Sequence, residues 1–281
     1  MHKTLVSADT LNDHLEDPDW LIFDCRFQLD DPDWGGLEHQ QSHIPGAMYA
    51  HLDRDLSSPK RPDTGRHPLP DAGKFARWLG EHGVSDGKQV VAYDQGGGAY
   101  AARLWWMLRW LGHDAAAVLD GGWALWTSEG YSVNDAIPQP EPAAFKADVH
   151  DRLWLTGAQL EAALKENRVR LVDARGGPRF RGEVEPLDPK AGHVPGAVNR
   201  PFTENLDEQG RFKDAAALKA RFGPVAGEGS GPQVVHMCGS GVTACHNLLA
   251  MEAAGLAGSR LYAGSWSEWI TDPRRPIATG E

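Results

Sequence analysis

The chain says the same thing twice, and this constrains its fold more than any other feature. "LIFDCR" at 21–26 is answered by "RLVDAR" at 170–175, and "HIPGA" at 43–47 by "HVPGA" at 193–197. "VVAYDQGGGAYAARLWWML" from 90 is answered by "VVHMCGSGVTACHNLLAM" from 234, and "LDGGWALW" from 119 by "YAGSWSEW" from 262. The offsets are 149, 150, 144 and 143 residues, so order and spacing are kept with small deletions. Chance does not put four anchors in register, and the chain is a tandem duplication.

Each copy alternates short apolar runs with amphipathic helical stretches. In the second copy Thr156 can cap a helix through "GAQLEAALKEN", with Gln159 in capping-box position. Strands are expected at about 169–173, 233–237 and 260–262. Strands separated by helices imply parallel βαβ units, so each copy is read as a three-layer α/β domain with a parallel sheet. "NDAIPQPEPAAF" carries three prolines and no helical period. It marks a linker over 134–150 between a first domain, 1–133, and a second, 151–281.

Chemistry concentrates in "VVHMCGSGVTACHNLLAMEAAG", residues 234–255. Val234 and Val235 read as a buried strand. From Thr243 onward a helix is expected that stops at Gly255. Cys238 then sits at the carboxyl end of a strand, facing a helix amino end, with Gly239 and Gly241 free to adopt positive φ. Loop N–H groups and the helix dipole favour an anion there, which would lower the thiol pKa and make Cys238 nucleophilic. The alternative is a buried cysteine acting as a small hydrophobe. At the matching position the first copy carries Asp94, which cannot be a nucleophilic thiolate. The first copy is therefore expected to be catalytically silent.

Composition excludes other classes. The net charge of −11 disfavours nucleic acid and anionic membranes as partners, so an anionic substrate must be attracted by local groups. No apolar run approaches a membrane span, and the first residues resemble neither a secretion signal nor a transit peptide. Three cysteines give no disulfide framework and suit a reducing cytoplasm. No His/Cys cluster has zinc-ligand spacing. His43 and His193 recur before the "PG" turns of both copies, including the silent one, which favours a structural role. Cys25 and Cys245 read as packed.

The duplicated plan, the paired "HIPGA" and "HVPGA" turns and above all "CGSGVTA" resemble the two-domain rhodanese sulfurtransferases, over essentially the whole chain. "CGSGVT" and "WSEW" resemble the 3-mercaptopyruvate branch of that family. The resemblance implies two rhodanese-like α/β domains with the active site at their interface, an inert first domain and a Cys238 persulfide. It implies ping-pong transfer from a small-molecule donor to cyanide, a thiol or a thioredoxin-like protein, with no metal or organic cofactor. Backbone N–H groups from Gly239 through Ser240, Gly241, Val242 and Thr243 would hold the outer sulfur. Ser240, His67 in "GRHPLP" and Asp53 match the family's proton-handling residues, and Arg179 in "GGPRFRGEVEP" matches the arginine that forks the donor carboxylate.

One position departs from the pattern. A second arginine usually follows the downstream "EP", but Leu187 stands there, and this opens thiosulfate as an alternative donor. A sulfur-carrier module loaded by another protein also remains open. A Cys-x5-Arg phosphatase does not, because position 244 is alanine.

Overall fold

The computed structural model describes residues 1–226 and 234–281. Its chain divides into two compact units. The first comprises Met1–Ser58, Leu69–His150 and Glu208–Phe212, and the second Pro59–Pro68, Asp151–Asp207 and Lys213–Glu281. Ten residues from the first copy's stretch, Pro59–Pro68, thus belong to the second unit. Among the described residues no helix is long and apolar enough to cross a membrane.

In the first unit β1 (Leu5–Val6), β2 (Trp20–Asp24), β3 (Met48–Tyr49), β4 (Gln89–Tyr93) and β5 (Ala116–Leu119) form one sheet in the order β1-β5-β4-β2-β3. All its pairings are parallel. Helices α1 (Ala8–Asn12), α2 (Trp34–Gln41), α3 (Ala72–Glu81), α4 (Ala101–Trp110) and α5 (Gly122–Ser128) connect the strands. Residues 134–150 form no helix and run along this unit. Asn134 bridges His43, Ala143 N–H donates to Gly80 O at 2.8 Å, and His150 N–H donates to Trp110 O at 2.8 Å.

The second unit repeats the plan with β6 (Trp154–Leu155), β7 (Arg170–Asp173), β8 (Val198–Asn199), β9 (Val234–Met237) and β10 (Arg260–Tyr262), in the order β6-β10-β9-β7-β8. These pairings are also parallel, so the α/β expectation holds in both copies. The helices are α6 (Gly157–Lys165), α7 (Gly177–Arg181), α8 (Ala215–Ala226), α9 (Thr243–Ala253) and α10 (Ser265–Trp269). Thr156 and Gln159 make the expected capping box on α6. Position 233, the first residue of the strand expected over 233–237, lies outside the described residues.

Three layers follow from side-chain alternation along β9. Val235 and Met237 pack with Leu160, Ala163, Trp266 and Trp269 on the α6/α10 face. His236 faces the opposite way, its Nε2 3.1 Å from Met251 Sδ of α9 and its ring edge-on to Phe222 of α8. Each fully buried aliphatic such as Leu160 contributes about 1.5–3 kcal/mol. A central strand covered on both faces explains why "VVHM" is wholly buried.

A buried ion pair recurs after the same strand of each copy. Arg26 forks Asp24 under Trp123, and Arg175 forks Asp173 under Trp266. The pairs are 2.6 and 2.7 Å long and essentially unexposed. They tie the end of β2 or β7 to the loop that follows it.

Candidate active site

Cys238 follows the last residue of β9 and is 2% exposed. The loop to α9 turns at Gly241, whose φ is +81°. A Cβ there would stand 2.2 Å from Ala263 O, so both the conformation and the space require glycine. Gly239 does not adopt positive φ, contrary to the expectation for both glycines. Its lack of a side chain serves a neighbour instead. A Cβ at Gly239 would lie 2.7 Å from Arg66 Nη2, 3.5 Å from Arg179 Nη2 and 3.6 Å from Arg179 Nη1.

The turned loop places Gly241 N–H 3.1 Å from Cys238 Sγ, donating to it. The backbone of Cys238 is pinned from α10. Cys238 N–H donates to Ser265 Oγ at 3.0 Å, Trp266 N–H to Cys238 O at 3.0 Å and Ser267 N–H to Gly239 O at 2.9 Å. Ser265 sits at φ +54°, a strained conformation for a non-glycine residue that its hydroxyl bonds help to hold. Val242 caps α9 without a side-chain bond, and Thr243 is the first helical residue. Below the loop, Cys245 is buried and its thiol donates to Gly241 O at 3.3 Å.

The first copy shows what such a loop binds. Asp94, the counterpart of Cys238, is buried. Its carboxylate accepts N–H bonds from Gly96, Gly98, Tyr100 and Ala101 at 2.7–3.2 Å. The loop there is an oxyanion cradle filled by its own side chain. Burial pushes the Asp94 carboxyl pKa up, and the four backbone bonds oppose that rise.

Ser240 and His67 are both buried, and Ser240 Oγ lies 2.7 Å from His67 Nδ1. The two residues are 173 positions apart, yet both belong to the second unit. The stretch carrying His67 is fixed against α10. Arg66 N–H donates to Ser267 Oγ at 3.0 Å, and a Cβ on Gly65 would meet Gly264 O at 2.5 Å. Asp53 belongs to the first unit, exposed in a turn where its N–H donates to His51 Nδ1 at 3.0 Å.

Arg179 lies on α7 and forks Glu185 through Nε at 3.1 Å and Nη2 at 2.6 Å. Asp188 bridges Arg179 and Arg66, bonding Arg179 Nη2 at 3.4 Å and Arg66 Nη1 more closely. Glu185 also reaches Arg175 at 3.3 Å. Sequence reasoning missed Arg66, Glu185 and Asp188. Arg66 adjoins His67 in "GRHPLP", and that adjacency was the available signal. Leu187 is 44% exposed, and Arg181 pairs with Glu183 at the surface. His43 and His193 are buried with ring nitrogens on carbonyl oxygens, at 2.6 Å from His39 O and 2.8 Å from Phe180 O. Among the described residues no group of three or more His, Cys, Asp or Glu side chains is placed to hold a metal.

The rhodanese-like domain family matches residues 7–129 and again 156–272. A Pseudomonas aeruginosa protein named "Probable 3-mercaptopyruvate sulfurtransferase" is 50% identical over 279 residues, 99% of this chain and 98% of that protein. The thiosulfate sulfurtransferase of Rattus norvegicus is 34% identical over 294 residues, 100% of this chain and 97% of that protein. The crystal structure of SseA from Escherichia coli, described among 3-mercaptopyruvate sulfotransferases, superposes with a TM-score of 0.81 at 33% identity. The superposition covers 95% of this chain and 100% of SseA. The chain belongs to the rhodanese family, in its two-domain sulfurtransferase form.

Proposed function

We propose that the protein takes sulfur from 3-mercaptopyruvate and passes it to a thiophilic acceptor through a persulfide on Cys238. The observation that carries the choice of donor is the 2.7 Å pairing of Ser240 with His67 beside the cysteine loop. The Cys238 thiolate attacks the donor's thiol sulfur, an S–S bond forms and the C–S bond breaks. The released electron pair becomes the enolate of pyruvate, and the proton that was on sulfur must reach carbon. With His67 Nδ1 unprotonated, the Ser240 hydroxyl donates to it and can relay that proton. The balance is thiolate plus mercaptopyruvate giving persulfide anion plus pyruvate. Thiosulfate would leave sulfite by S–S cleavage and has no use for a proton relay.

The persulfide's outer sulfur carries the negative charge. The Gly241 N–H on Cys238 Sγ, and the oxyanion cradle that the matching loop makes for Asp94, support its being held by the N–H groups of residues 239–243. Cyanide then takes the sulfur as thiocyanate and restores the thiolate. A reduced thioredoxin-like dithiol does the same, ending as a disulfide with release of hydrogen sulfide. Such an acceptor, and three free, buried cysteines, suit a reducing cytoplasm.

Steady-state assays with cyanide and each donor in parallel test this reading. The expected result is a higher specificity constant for 3-mercaptopyruvate, with measurable thiosulfate turnover. A higher constant for thiosulfate assigns the protein to the thiosulfate branch instead.

A further inference from the structure

Ser240 and His67 can exchange a proton only while they stand within hydrogen-bond reach, yet they lie on segments 173 positions apart. The two segments need a fixture that holds this spacing, and we infer that Ser267 of α10 is the positioning residue that provides it. The inference rests on the reading of the Ser240–His67 pair as the proton relay for 3-mercaptopyruvate.

Ser267 bonds the residue before each partner. Its N–H donates to the carbonyl of Gly239, next to Ser240, at 2.9 Å. Its Oγ accepts the N–H of Arg66, next to His67, at 3.0 Å. The hydroxyl donates in turn to Gly264 O at 3.4 Å, which leaves its lone pairs to Arg66. All of these residues belong to the second unit, and Ser267 is buried, so the bonds are shielded from competing water. Gly65 makes the close approach possible. A Cβ there would stand 2.5 Å from Gly264 O and 3.0 Å from Ser267 Oγ.

The duplication supplies a comparison. Aligning "LDGGWALW" at 119–126 with "YAGSWSEW" at 262–269 puts Ala124 opposite Ser267. The neighbouring backbone bond is kept in both copies: Trp123 N–H donates to Asp94 O at 2.8 Å, and Trp266 N–H to Cys238 O at 3.0 Å. A short helix thus buttresses the loop in either copy, whereas the hydroxyl that holds the 59–68 stretch exists only beside Cys238. Packing alone could be served by the alanine of the silent copy. What the hydroxyl adds is an acceptor for a main-chain N–H, and without it the chain before His67 would shift to find another. A displacement of about 1 Å takes the 2.7 Å bond out of reach and disables the relay while leaving the nucleophile in place.

The test uses the full-length protein and reads the ratio of kcat for 3-mercaptopyruvate to kcat for thiosulfate, with cyanide as acceptor. Ser267→Ala keeps the N–H on Gly239 and removes the acceptor for Arg66. It should lower the ratio about tenfold, with little change in KM for 3-mercaptopyruvate. In a Ser240→Ala background the same substitution should lower the ratio no further, because the pair it positions is already gone. Gly65→Ala displaces the stretch from the other side and should give the same donor-selective loss, so it carries the test if Ser267→Ala does not fold. A ratio unchanged in the folded variants, or a loss that adds in full to that of Ser240→Ala, overturns the inference. Failure of the relay reading looks different: Ser240→Ala alone would then leave the ratio unchanged.

Discussion

His67 Nδ1 and Ser240 Oγ stand 2.7 Å apart, a bond between two buried residues from opposite halves of the sequence that share one compact unit. If this pair relays the proton from donor sulfur to enolate carbon, Ser240→Ala and His67→Asn each lower kcat for 3-mercaptopyruvate by about 100-fold. Thiosulfate turnover should change only about threefold, since it moves no proton. Steady-state kinetics with both donors check this, and equal losses would remove the relay.

The persulfide should form on Cys238 and on neither other cysteine. Cys25 is buried, and its thiol pKa is pushed well up by that burial and then by Asp24, Asp94 and Asp55. Cys245 is buried under the loop with its thiol on Gly241 O. Cys238→Ser should abolish transfer while leaving the protein folded. Peptide mapping of donor-treated wild type should find one added sulfur on the Cys238 peptide. Its appearance on Cys25 or Cys245 would reassign the nucleophile.

Gly241 and Gly255 separate backbone strain from steric conflict. Both have positive φ, +81° and +73°, but a Cβ at Gly255 meets nothing within 4 Å, whereas one at Gly241 meets Ala263 O at 2.2 Å. Gly255→Ala should cost about 1–2 kcal/mol, the left-handed penalty alone. Gly241→Ala should cost more, and should also lower sulfur transfer because the N–H on Cys238 Sγ moves. Urea denaturation and the cyanide assay measure the two effects. Equal stability losses would mean the loop relaxes freely.

His236 should make the protein acid-sensitive. It is fully buried, its Nδ1 has no partner, and desolvation lowers its pKa to about 3 from 6.5. Above pH 6.5 the imidazole is neutral in both folded and unfolded chains. As pH falls from 6.5 toward 3 the unfolded chain takes up a proton that the folded one refuses, and stability is lost at about 1.4 kcal/mol per pH unit. His236→Leu should flatten the pH dependence of unfolding by about one proton in that window. An unaltered slope would mean that the ring titrates normally in the fold.

How much of this is legible in the chain follows from the range of the interactions involved. The repeat, the parallel α/β plan, the Thr156 capping box and the strand–loop–helix around Cys238 rest on patterns spanning a few residues. Chain geometry over such a span is set by local sterics, so residue type and spacing suffice. The two-residue strands β6 and β8 are not legible in this way, because two residues carry no alternation to read. Gly239 looks like a turn glycine in the chain, since residue type does not tell whether a glycine serves φ or a neighbour's side chain. Only the tertiary structure decided that 59–68 joins the second unit, bringing His67 to Ser240 and Arg66 to Gly239. Those contacts come from single hydrogen bonds and close packing between distant segments, such as Arg66 N–H on Ser267 Oγ, and they leave no periodic trace in the chain. The sequence by itself determined the duplicated scaffold and the strand–loop–helix that carries Cys238. Long-range packing decided which arginines and which histidine–serine pair stand beside it.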